Sequence, residues 1–249
     1  MKREDEARII ELVKLCGEVI LNAERSEIDI QSKEGSANFV TDYDVRVQEK
    51  LKKGLADIIP DAHFIGEEGE QELFSEKGKY FIVDPIDGTT NFIKDYHMSC
   101  ISVAYVEDGE TCLAVIYNPY LDELFLAKRG DGAYCNGKRI HVSAQPLSNG
   151  VVLFGTSPYN AELAKKSFDM AYEYFCKALD VRRSGSAALD LCAVAAGRAE
   201  LYFELKLSPW DYAAGALIVE EAGGIVTTIE GEKLSLEAPC SILAKNSRI

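Results

Sequence analysis

One string, Phe81-Ile82-Val83-Asp84-Pro85-Ile86-Asp87-Gly88-Thr89-Thr90-Asn91-Phe92, gathers the side chains best placed to do chemistry. Three apolar β-formers deliver Asp84 to a strand end, and Pro85 and Gly88 fit a tight turn. Gly-Thr-Thr-Asn can then open a helix whose free N–H groups attract an anion. Two carboxylates beside a helix start suit a hard divalent cation together with a phosphate group. Upstream, Ile65-Gly66-Glu67-Glu68-Gly69-Glu70 places more carboxylates after an apolar run; downstream, Ser208-Pro209-Trp210-Asp211 puts the single tryptophan and another Asp at a helix start. Taken singly, these read as an Asx-turn, a solvated acidic loop, a helix cap at Asp211 and, for Glu204, an exposed strand end. Their joint occurrence points to a metal-assisted reaction on a phosphate.

Other chemistries find little support. Gly132-Ala133-Tyr134-Cys135-Asn136-Gly137-Lys138 imitates a phosphate-binding loop, but Arg139 stands where Ser or Thr should hold a metal, and Asn136-Gly137 between short β-runs is a hairpin signal. His63, His97 and His141 share no metal-ligand spacing, and no GxSxG elbow occurs. A phosphatase with an aspartyl nucleophile would also carry an Asp at a strand end, but in a D-x-D spacing; Asp84 and Asp87 are spaced D-x-x-D. The seven cysteines form no CxxC and are expected to be reduced, buried thiols.

The 249 residues are 47% hydrophobic and 27% charged, an ordinary globular composition for one or two domains. With 27 basic and 41 acidic residues the net charge is -14, which opposes general attraction to nucleic acid or an anionic membrane. A phosphate-bearing ligand needs local help, and no obvious cluster of Lys and Arg offers it. The pairs Arg182-Arg183 and Lys165-Lys166 read as solvated faces. The charged opening MKREDEARII and the lack of long apolar runs predict a cytoplasmic protein.

These residues need elements to position them. Helical periodicity predicts a first helix ending near Ser26 and a second over residues 42–59, separated by a polar, mobile loop from Lys33 to Asn38. Short β-rich runs follow at 63–65, 80–83, 100–106, 111–117 and 123–127, best read as hairpin-connected antiparallel strands. Beyond Gly150, strand and helix patterns alternate: strands near 151–154, 179–181, 201–203 and 225–228, helices near 160–176, 187–196 and 211–222. The expected division is residues 1–140, an α+β domain carrying the metal-binding motifs, and 141–249, an α/β domain completing the site.

The Gly66-Glu67-Glu68 element, the string from Asp84 to Phe92, and Trp210-Asp211 followed by Ala213-Ala214-Gly215 and Glu221-Ala222-Gly223-Gly224 resemble the inositol monophosphatase family from Lys33 to Gly224. The resemblance implies an α/β fold, α+β in its N-terminal half, arranged as a layered αβαβα sandwich. It implies a magnesium-dependent, lithium-sensitive homodimer that hydrolyses a small sugar or polyol phosphate, inositol 1-phosphate first, by metal-activated water. By that resemblance Glu67, Asp84 and the Ile86 carbonyl hold one magnesium ion, Asp84, Asp87 and Asp211 a second, and Glu67 a weaker third. Glu67 and Thr89 activate the water, with Asp44 orienting Thr89. Gly88, Thr89 and Thr90 bind phosphate through backbone N–H groups. Gly185, Ser186, Ala187 and Glu204 line the polyol pocket beside Asp87 and Asp211, and Lys33 belongs to a mobile metal loop. Alternatives within the fold are fructose-1,6-bisphosphatase and 3′(2′),5′-bisphosphate nucleotidase activity. A non-enzymatic alternative is partnership in a transcription complex.

Overall fold

The computed structural model describes residues 1–24, 28–32, 39–69, 72–158 and 160–249. Helix α1 (Arg3–Leu21) buries Ile9, Val13, Cys16 and Ile20, a stripe at helical spacing. It stops well before Ser26, because the Asn22 side chain folds back to donate to the Glu18 carbonyl at 2.8 Å. Short antiparallel strands β1 (Ile30–Ser32) and β2 (Phe39–Thr41) flank the segment expected to be mobile; that segment, with Lys33, lies outside the described residues. Helix α2 (Asp42–Ile58) opens on a capping box: the Thr41 side chain accepts from the Tyr43 and Asp44 N–H groups, and the Asp44 carboxylate accepts from Thr41 N–H.

Strands β3 (Ala62–Gly66) and β4 (Lys79–Asp87), the short helix α3 (Thr89–Ile93), and strands β5 (Cys100–Glu107), β6 (Glu110–Asn118), β7 (Glu123–Lys128), β8 (Gly132–Cys135) and β9 (Lys138–Ile140) come next. The strands form a seven-stranded sheet in chain order. Its later pairs are antiparallel as expected, β4 joined to β5 through α3 and not by a hairpin turn, and Asn136 and Gly137 take the positive φ of 48° and 74° that their turn requires. The first pair corrects the expectation: β3 and β4 run parallel, from Ala62 opposite Lys79 to Gly66 opposite Val83. A run of short strands cannot show this, since the connection from Glu67 to Gly78 is long enough for either direction.

The chain continues through β10 (Val151–Phe154), α4 (Ala161–Phe175), β11 (Asp180–Arg182), α5 (Ala187–Ala195), β12 (Leu201–Leu207), α6 (Pro209–Glu221), β13 (Ile225–Thr227) and β14 (Cys240–Lys245). These strands make a second sheet in the order β11-β10-β12-β14-β13, in which β10 is parallel to both β11 and β12. Strand β14, without a sequence signal of its own, closes the gap between β12 and β13 by pairing antiparallel with both.

Packing follows strand alternation. Phe81 and Val83 of β4, with Ile101, Val103 and Tyr105 of β5, face α1 and α2. Tyr80 and Ile82, with Cys100, Ala104 and Val106, face α5 and α6. Those helices in turn cover Tyr202, Ile242 and Ala244 of the second sheet, whose far side packs Val152, Phe154, Leu201 and Phe203 under α4. The layers are therefore αβαβα. Helix α6 is apolar all round because it lies between two sheets, and Gly215 lets it approach α5: a Cβ there would sit 2.5 Å from Leu191. All seven cysteines are free; Cys16, Cys100 and Cys192 are buried as expected, whereas Cys112, Cys135 and Cys240 are half-buried and Cys176 is exposed. Among the described residues no helix is long and apolar enough to cross a membrane.

Candidate active site

Asp84 and Asp87 are three residues apart, a spacing that would put them on opposite faces of a regular strand. The ladder with β5 shows why they are not. Asp84 pairs with Ser102 and Asp87 with Cys100, so three steps on β4 match two on β5. The extra residue is a bulge, at a place where Pro85 has no N–H to contribute to the ladder. It brings both carboxylates to the side facing α5 and α6. Strand β4 thus continues through the bulge to Asp87, and Asp84 is not at its end as the sequence predicted.

The other acids come to the same place by different routes. Because β3 is parallel to β4, its carboxyl end delivers Glu67 beside Asp84, and Glu67 N–H continues the ladder to the Val83 carbonyl at 3.2 Å. Asp211 lies in the first turn of α6, where its Oδ2 accepts from Ser208 N–H at 2.7 Å. Oxygens of Asp84, Asp87 and Asp211 all lie within 4.8 Å of one another. Glu67 and Ile86 line the same cavity, of about 400 Å³, as do Gly88, Thr89, Thr90, Gly185, Ser186, Ala187 and Glu204. Every sequence-predicted site residue among those described is therefore in or, for Asp44, against this cavity.

Hydrogen bonds fix the arrangement. Asp87 Oδ2 accepts from the Ser186 hydroxyl at 2.5 Å and from Ala188 N–H at 2.8 Å, so this carboxylate sits on the N-terminus of α5. Asp84 Oδ1 accepts from Ile86 N–H at 3.0 Å. The Thr89 hydroxyl lies 3.2 Å from the Ile86 carbonyl and 3.4 Å from Asp44 Oδ1. Asp44 Oδ2 is held by the N–H and hydroxyl of Thr41. Gly88 adopts a φ of 88°, and a Cβ there would lie 2.8 Å from the Met98 carbonyl, so the turn into α3 needs glycine. Asn91 Nδ2 donates to the carbonyls of Met98 and Ser184, tying α3 to the loop before α5.

So many buried acids oppose one another's ionisation. Burial, then the neighbouring carboxylates, holds Asp84 and Asp211 well above the usual range. Burial lifts Asp87 to about 6 despite the bonds from Ser186 and Ala188, and lifts Asp44 to about 7 against the pull of Thr41. Burial likewise raises Glu204, whose Oε1 accepts from Ser157 N–H at 2.6 Å and whose Oε2 accepts from Tyr202 at 2.7 Å. At neutral pH such a cluster must bind protons or cations, and its all-oxygen donor set fits a hard divalent ion.

Sequence reasoning missed Ser157, Asn160, Arg183 and Lys206, which line the cavity too. Arg183 was read as part of a solvated pair. Lys206 had no usable signal either, because a register shift in β12 between Glu204 and Leu207 breaks the alternation that would relate it to Glu204. Ser157 and Asn160 had none, since they are joined to the site only through the pairing of β10 with β12.

A relative in Salmonella typhimurium called Nus factor SuhB is 38% identical over 224 residues, 89% of this chain and 84% of its own length. Inositol-1-monophosphatase of Rhizobium meliloti is 39% identical over 219 residues, 88% of this chain and 82% of its own. Among solved structures, the extragenic suppressor protein suhB of Bartonella henselae superposes with a TM-score of 0.90 at 34% identity, covering 98% of this chain and 94% of that one. The family model for these proteins matches from residue 2 to residue 249. The chain that gathers carboxylates by a strand bulge, a parallel strand end and a helix start thus belongs to the inositol monophosphatase family.

Proposed function

We propose that this chain is a magnesium-dependent phosphomonoesterase of the cytoplasm that hydrolyses inositol 1-phosphate to inositol and phosphate. The observation that carries this reading is the convergence of Asp84, Asp87 and Asp211 within 4.8 Å on a cavity that also presents Glu67, Thr89 and Glu204. Asp84, Asp87 and Asp211, with Glu67 and the Ile86 carbonyl, would hold two or three ions. Bound there, magnesium supplies neutralising charge and Lewis acidity to a water and to the ester oxygens.

The chain's own groups do the rest. Glu67 and Thr89 take the proton of the attacking water; Thr89 accepts it at Oγ1 as its own proton passes to Asp44 Oδ1, 3.4 Å away. Asp44, lifted to about 7, is suited to exchange a proton near neutral pH. The N–H groups of Gly88, Thr89 and Thr90 hold phosphate oxygens. The polyol lies against Gly185, Ser186 and Ala187, with a hydroxyl donating to Glu204.

Release of inorganic phosphate from inositol 1-phosphate, fructose 1,6-bisphosphate and adenosine 3′,5′-bisphosphate, with and without magnesium, tests the reading. Preference for the adenosine compound, or turnover indifferent to magnesium, would defeat it. A homodimer fits the groove in which exposed Tyr96 and Leu121 meet Met98, Leu153 and Leu189; sedimentation velocity decides it. A second reading, partnership in a transcription complex, draws on the Salmonella relative's name and on Phe168, Tyr172 and Phe175, exposed along one side of α4. It predicts that catalytically dead Asp84→Asn still complements loss of the chain in its host.

A further inference from the structure

One wall of the cavity is irregular backbone. Between β13 and β14 the chain runs without helix or strand from Thr228 to Pro239, and the exposed Pro239 lines the cavity beside Leu207, Trp210 and Asp211. Cys240 then opens β14 opposite Leu207. A ladder of backbone bonds places the residues of a strand; this segment has no ladder, so another group must set where Pro239 stands.

That group is the hydroxyl of Tyr212. It donates to the Ser235 carbonyl, lies 3.4 Å from the Ala238 carbonyl and accepts from the Cys240 thiol at 3.3 Å, so it reaches the residues on both sides of Pro239. Among the described residues no other group outside the segment hydrogen-bonds to residues 233–239, whose remaining bond is the local one from Glu237 N–H to the Ser235 hydroxyl. Leu234 and Leu236 pack against the layer of α5 and α6, but from Lys233 to Glu237 the segment also borders a second cavity, of about 1020 Å³, and is not braced on that side. Tyr212 itself is fully buried in the opening of α6, one residue after Asp211. Consecutive helix residues point about 100° apart, which lets one turn aim Asp211 at the cavity and Tyr212 at the segment behind its wall. The Asp211 carboxylate has a support of its own in Ser208 N–H, at 2.7 Å. The ring of Pro239 fixes its φ, and with the backbone pinned on either side it presents a stiff, apolar surface. Together with Leu207 and Trp210 it suits the carbon skeleton of a ligand and not its phosphate.

We propose that Tyr212 is a positioning residue for the substrate: its hydroxyl sets Pro239 through Ser235, Ala238 and Cys240, and Pro239 bounds the space left to the organic part of a phosphate ester. This rests on the phosphatase reading for the identity of the ester. Tyr212 touches neither the reacting atoms nor the acidic floor, so its hydroxyl governs binding of the ester and not the chemical step.

Tyr212→Phe removes the hydroxyl and keeps the ring, so the core stays filled. For whichever of inositol 1-phosphate, fructose 1,6-bisphosphate and adenosine 3′,5′-bisphosphate is cleaved best, KM should rise roughly 3- to 10-fold, the scale of one net hydrogen bond, while kcat and the half-saturating magnesium concentration stay within about twofold. Calorimetry in calcium, which supports little turnover, reads binding directly: the ester should bind the variant more weakly by a similar factor, and inorganic phosphate should bind both proteins equally. Pro239→Gly should reproduce the loss, and adding Tyr212→Phe to it should cost nothing more, because both act at one point. A hydroxyl that serves stability alone lowers Tm and leaves KM unchanged, or weakens ester and inorganic phosphate alike. Either result overturns the proposal, as do additive losses in the double variant or a wild type that binds none of the esters more tightly than inorganic phosphate. Ester binding that follows this pattern with no phosphate released upholds Tyr212 and removes the phosphatase reading instead.

Discussion

The two sides of the cavity come from different sheets and solve opposite problems. On the floor, the seven-stranded sheet and the start of α6 crowd Asp84, Asp87 and Asp211, and burial holds all three above their ordinary values. At the mouth, the five-stranded sheet sets Arg183 and Lys206 against neutral hydroxyl and amide groups in a chain of net charge -14. The floor is an excess of negative charge awaiting a cation, whereas at the mouth the Arg183 guanidinium offsets the buried carboxyl groups of Asp190 and Glu204. A protein can keep both because the opposed charges belong to elements locked separately, by the bulge in β4 on one side and by Ser157 on the other.

The largest expected effect lies on the floor. Asp84→Asn keeps the shape of the side chain but removes a charge central to the cluster, so magnesium-dependent phosphate release should drop below detection. The metal-free variant should nevertheless melt higher than wild type, because a buried carboxylate among like charges has been neutralised. Near-normal turnover at millimolar magnesium would break the contrast between floor and mouth. Asp44→Ala comes next: it touches the site only through Thr89, and loss of such an outer partner costs roughly 10- to 100-fold in activity or metal affinity. If Asp44 only caps α2 through Thr41, the variant will lose stability while kcat stays put.

A third effect is on stability. Asp87 holds its proton up to about 6, well above an ordinary Asp at 3.8, so between those values the folded chain binds a proton that the unfolded chain releases. Stability of the metal-free protein therefore falls as pH rises through that window, and the whole penalty is present above it. For Asp87 alone this is on the order of 3 kcal/mol, or roughly 6–12 °C in Tm for a chain of this size. Metal-free Tm should accordingly rise when pH is lowered from 7 to 5, and magnesium at pH 7 should abolish the difference by replacing the protons. Calorimetry in chelator and in magnesium reads both. A metal-free Tm that falls steadily from pH 7 to 5 would show that Asp87 is ionised without a cation.

How much of this was legible in the sequence differs between the two sides, for a physical reason. The floor's acids are strung along contiguous motifs whose Pro, Gly and Thr neighbours are needed locally, for the bulge and for the turn into α3, so the string itself announces them. Even there, the parallel run of β3 was hidden, and with it the route that sets Glu67 beside Asp84. The mouth has no local signature. Arg183 and Lys206 line one cavity only because β10 is parallel to both β11 and β12, a long-range pairing that leaves no trace in composition or periodicity. Strand β14 was missed for the same reason, its partners being distant β12 and nearby β13.

The smallest expected effect is optical. Trp210, the single tryptophan, lines the cavity immediately before Asp211, and its carbonyl accepts from the Ser102 hydroxyl, opposite Asp84 on β5. Filling the floor with magnesium neutralises Asp211 and fixes the start of α6, so the field on the indole and its mobility should change and the emission with them. Calcium, also an oxygen-seeking ion but of less strict geometry, should shift the emission while supporting little turnover. In Asp211→Asn the magnesium response should disappear. If that response persists unaltered there, the ion is not at Asp211, and the floor must be redrawn around Glu67, Asp84 and Asp87 with α6 serving only as its wall.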